Sequence, residues 1–118
     1  MNAADQIADG FGKVLFVEQV ERFERIFSAT EITNLAKDFA SIARMFGSMN
    51  EDDKAAVMDL IRIVTSDTAS ILLGSFDGST GIEGIDKDFL VLYGGENVTG
   101  KLQDSFLSWV ERFEKFSS

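Results

Sequence analysis

Large apolar residues recur at alternating intervals of three and four along this chain, and that spacing commits most of it to amphipathic helix. Phe16, Val20, Phe23 and Phe27 form one such seam. Ile32, Leu35, Phe39, Ile42 and Phe46 form a second. A third carries Val57, Leu60, Ile61, Val64, Ile71 and Leu72, and a fourth Leu102, Phe106, Trp109, Phe113 and Phe116.

Cap chemistry sets the expected boundaries. The first helix runs from Asn2 to Phe27, with Gly10 and Gly12 as its weak point. Ser28-Ala29-Thr30-Glu31 reads as a capping box opening the second helix, which Gly47 ends in a left-handed conformation. Ser48-Met49-Asn50-Glu51 offers a second capping box for the third helix and Asn50 an equally good cap, while Glu51, Asp52 and Asp53 meet the positive end of the helix dipole. That helix is expected to reach Leu73 or Gly74, weakened at Thr65-Ser66-Asp67-Thr68 by side chains that compete for backbone hydrogen bonds. After Asp77 the composition turns to turn formers. Ile82–Ile85 and Phe89–Tyr93 are expected to pair as a hairpin, with Gly94-Gly95 closing the second strand. A last helix runs from Thr99 to about Lys115. The expected fold is α+β and mostly α, one domain over residues 1–118: three N-terminal helices, a short antiparallel β-hairpin near 82–93 and a C-terminal helix.

Function is constrained first by what is missing. The chain has no histidine and no cysteine, which removes the commonest general base, the strongest neutral-pH nucleophile and the usual transition-metal ligands. Its net charge is −9. Residues 1–47 hold seven acids against five bases, while residues 48–118 hold thirteen against six. Charge of that sign repels phosphate backbones and anionic lipid, so neither nucleic acid nor a membrane is an expected partner. No apolar run is long enough for a membrane span, and Met1–Asp5 has no signal-peptide character, so the cytoplasm is the expected compartment.

Gly95-Glu96-Asn97-Val98-Thr99-Gly100-Lys101 has the spacing of a phosphate-binding loop. Leu102 stands where a magnesium-binding hydroxyl belongs, and Glu96 would repel phosphate, so a strand-to-helix turn with Thr99 as the cap is expected instead. The acids Asp77, Glu83, Asp86 and Asp88 do not follow the register of a calcium-binding loop. No spacing identifies a catalytic residue, a cofactor site or a metal site, and the chain is read as a non-enzyme.

Two features remain. Phe11, Leu15, Phe16 and Val17 crowd more than one face of the first helix, and Val110 and Phe116 widen the stripe of the last. Such width exceeds what one small protomer covers, so a homodimer is expected through Phe16, Val20, Phe23, Trp109, Phe113 and Phe116. The acidic residues Asp77, Glu83, Asp86, Asp88 and Glu96 are the expected face for a basic protein partner. The chain therefore reads as a non-catalytic protein–protein interaction module, such as an immunity-type inhibitor or an adaptor. The alternative is a small-molecule-binding helical protein with an aromatic-lined pocket.

Overall fold

The computed structural model describes residues 1–117; the side chains of Phe116 and Ser117 lie outside what is described. Among the described residues the chain is α+β and mostly helical, as its periodicity predicts. The first helix is continuous from Ala3 to Phe27 but changes character on the way. It comprises α1 (Ala3–Gly12), a π-helical segment (Lys13–Glu18) and α2 (Gln19–Phe27). Asn2 caps it by accepting a hydrogen bond from the Asp5 amide at 2.8 Å.

The π segment has a geometric reason. The buried residues Ala4, Ala8, Gly12, Phe16 and Val20 are spaced by four throughout. In a helix of 3.6 residues per turn that stripe drifts by about 40° at each step. A segment of i→i+5 bonds, such as the Gln19 amide to the Val14 carbonyl, has a wider turn and takes up the drift. The helix therefore keeps one face inward over its whole length, and Gly10 and Gly12 do not break it.

The second helix is shorter than its seam implies. It is α3 (Lys37–Gly47), and residues 28–36 are a turn-rich connection. The expected capping box fails because the Glu31 carboxylate accepts from the Thr33 amide at 2.9 Å and its hydroxyl at 2.5 Å. Gly47 is the last helical residue and is not left-handed; the following Ser48 has φ −93° and donates its hydroxyl to the Met45 carbonyl.

Of the two expected caps, Asn50 rather than Ser48 opens α4 (Glu51–Asp77), accepting from the Asp53 amide at 2.8 Å. The helix runs through Thr65–Thr68 unbroken and stops at Gly78, whose φ of 80° is a left-handed position that favours glycine. The hairpin lies further along than expected. It pairs β1 (Leu92–Tyr93) with β2 (Glu96–Asn97), antiparallel, with Leu92 opposite Asn97. Gly94 and Gly95 have φ of 58° and 84°, so they are the two central residues of a tight turn with positive φ at both, rather than the end of a strand. Ile82 and Ile85 bridge one another instead of pairing with 89–93.

The last helix, α5 (Leu102–Ser117), begins at a cap supplied from far away in sequence. The Asp77 carboxylate accepts from the amides of Gly100 at 2.7 Å, Leu102 at 3.2 Å and Gln103 at 2.7 Å. Thr99, the expected cap, instead accepts from the Val91 amide at 2.8 Å and holds the hairpin down. Gln103 fastens α5 to α4 by donating to the Ser70 carbonyl and hydroxyl, both at 3.0 Å, while the Ser79 hydroxyl donates to it at 2.8 Å.

Two apolar clusters result. One gathers Phe16, Leu73, Val98, Leu102, Phe106 and Val110 where α1, the π segment, the C-terminal half of α4 and α5 meet. Val98 and Phe106 are completely buried there. The other gathers Val20, Phe27, Phe46 and Met58 between α2, α3 and the N-terminal half of α4. Helix α4 contributes to both. No helix is long and apolar enough to cross a membrane among the described residues.

Candidate functional site

The π segment and α2 run beside α4 and the end of α5, and the three leave an open groove between them of about 650 Å³. Its floor is apolar: Phe16, Val17 and Val20 from the first helix, Ile63 from α4 and Phe113 from α5. Its rim is acidic. Glu21 and Glu24 stand on α2, Asp59 on α4 and Glu114 on α5, against one base, Arg62. Helical spacing explains the arrangement. Positions 17, 20, 21 and 24 share one flank of the first helix, and positions 59, 62 and 63 share one flank of α4.

The rim is only partly neutralised. Arg62 pairs with Asp59 at 3.3 Å on the same helix. Arg22 lies over the Phe23 ring, 5.4 Å from its centroid. Glu21 and Glu24 have no ion-pair partner among the described residues. Sequence reasoning assigned Glu21 and Glu24 no role in a site and so missed the groove. The signal was available, since Glu21 and Glu24 fall on the same helical flank as Val17 and Val20.

Of the acids expected to meet a partner, Asp77 is committed to the α5 cap. Glu83, Asp86 and Asp88 lie exposed on the long connection after α4, and Glu96 lies exposed on β2. No group of three or more acids converges in a way that would hold a metal ion among the described residues.

The residues expected at a dimer contact divide differently. Phe16 and Val20 are buried inside the protomer. Phe23, Trp109 and Phe113 are half-buried against their own chain. The Phe16 ring is 5.8 Å from that of Trp109 and 5.7 Å from that of Phe113, and Trp109 stacks on Phe113 at 5.1 Å with 11° between planes. Phe23 stacks on Phe27 at 5.7 Å. The side chain of Phe116 lies outside the described residues.

Trp109 also donates its indole N–H to Asp9 Oδ1 at 3.3 Å, and the other Asp9 oxygen pairs with Lys13 at 2.9 Å. The hydrogen bond from Lys13 holds the Asp9 carboxyl below its ordinary range; desolvation opposes it, and the Trp109 hydrogen bond adds to the lowering.

A second cavity, of about 440 Å³, opens beside the hairpin. Ile7 and Phe11 of α1, Leu73 and Phe76 of α4, and Val91, Leu92 and Tyr93 line it. Comparison with protein-family models, curated proteins and solved structures gave no match for this chain.

Proposed function

We propose that this chain is a non-catalytic protein-interaction module that takes a basic, amphipathic segment of a protein partner into the groove between its first helix, α4 and α5. The observation that carries the reading is an apolar floor rimmed by four carboxylates against one guanidinium. An amphipathic helix lays its apolar face into such a groove, and lysines or arginines along its edges meet the rim. Opposite charge speeds encounter and rejects acidic competitors. An immunity-type inhibitor or an adaptor fits this chemistry. We place the activity in the cytoplasm, where a chain without cysteine is at no disadvantage.

The test is binding of a short amphipathic lysine–leucine helical peptide, followed by fluorescence anisotropy at low and at physiological salt. Reversing the rim with Glu21→Lys and Glu24→Lys should weaken binding by at least about tenfold, ~1.4 kcal/mol. Reversing the exposed loop with Asp86→Lys and Asp88→Lys should change it far less. Affinity indifferent to salt and to both reversals would remove the proposal. Equal losses from the two pairs would move the site to the loop.

The cavity beside the hairpin supports a second reading, a small apolar ligand held among Ile7, Phe11, Phe76 and Tyr93. Energy transfer from a Phe11→Trp indole to a bound naphthalene-type fluorophore would support it, and an unresponsive probe would not.

A further inference from the structure

The protomer is larger than its length requires. A compact chain of 118 residues has a radius of gyration of about 13.5 Å, whereas this one has 17.3 Å. A folded monomer of this mass exposes about 6,300 Å², whereas this one exposes 8040 Å². The surplus is roughly 1,700 Å² per chain. An obligate twofold interface removes about 1,000–2,500 Å² from each partner, so the surplus matches what one such contact would cover.

Part of that exposed surface is a set of large apolar side chains on one helix. Leu60, Ile63, Val64, Ile71 and Leu72 of α4 are each more than half exposed. Leu60, Ile63, Val64, Asp67 and Ile71 fall on a single stripe, opposite the Met58 and Leu73 side that packs inward. The acidic groove borders this stripe at Ile63 without containing the rest of it.

We propose that the outer face of α4 is the contact through which two copies of this chain pair, antiparallel, about a twofold axis. A twofold contact must be complementary to itself, and this stripe is apolar toward both ends. An antiparallel pairing centred between residues 65 and 66 sets Leu60 of one copy against Ile71 of the other. It also separates the two acidic first turns, Glu51–Asp53, by about the 40 Å length of a 27-residue helix. A parallel pairing would press those turns together. Asp67 is the one carboxylate on the stripe, and in the pair it faces Val64 of the other copy. The inference does not depend on the basic-segment reading, and its test contains no peptide.

Sedimentation velocity across the micromolar range decides it. Wild type should sediment as a dimer. Leu60→Glu with Ile71→Glu should weaken the pair by more than about tenfold, with helical circular dichroism unchanged. Asp67→Leu should tighten it, a gain that damage to the fold cannot imitate. A wild-type monomer throughout, a double variant that stays dimeric, or a looser Asp67→Leu would each overturn the proposal. If the double variant loses its helical signal, Asp67→Cys supplies the answer in a chain with no other cysteine. A short bismaleimide should join Asp67→Cys into dimers and leave Glu83→Cys monomeric; equal yields would overturn the proposal.

Discussion

The indole of Trp109 lies so close over Gly12 that a β-carbon at position 12 would collide with its six-membered ring. Ala4 and Ala8 precede Gly12 on the same buried face, and together they let α5 approach the backbone of α1. Substituting Gly12→Ala gains about 1 kcal/mol of helix propensity but forces a rearrangement worth about 1–3 kcal/mol. A net loss of up to about 2 kcal/mol in urea denaturation is expected. Pairing it with Trp109→Leu should recover much of that loss, since the collision then disappears. Purely additive effects would show that the close approach is not the cause.

Asp77 holds three amides at the start of α5 from the last residue of α4. Asp77→Ala should cost about 2 kcal/mol, at the upper end for a cap, because several donors lose their acceptor together. Hydrogen exchange should speed first at Leu102 and Gln103. Unchanged protection there would show that α5 starts well without the carboxylate. Asp77→Asn, with one acceptor oxygen, should fall between the two.

Asp9 links Lys13 and Trp109, and its carboxyl titrates below the ordinary value of 3.8. A carboxylate with a depressed folded-state value contributes stability that is present above 3.8 and is lost as the pH falls through the folded value. Trp109 is the only tryptophan, so its fluorescence reports the link directly. An acid titration should show a Trp109 transition below pH 3.8 that Asp9→Asn abolishes. A transition that survives in Asp9→Asn belongs to another group.

The helices were legible because burial and periodicity agree. Asn50 was legible because its donor, the Asp53 amide, is local. The misread places share a physical cause. Glu31 had two local uses, and the nearer one, to Thr33, won over the cap. Gly94-Gly95 ended a strand on a reading by composition, yet positive φ at both makes it the centre of a hairpin. Asp77 looked like a free acid because its three donors lie more than twenty residues away. The acidic groove was hidden because α2, α4 and α5 each supply only part of it.

Helix α4 contributes Met58 to one cluster and Leu73 to the other. It is a beam shared by two rooms. Strain applied at one end reaches the other along an unbroken hydrogen-bonded rod, with no joint between them to absorb it. A ligand that tightened the far cluster would stiffen the near one too, although they are separate apolar clusters.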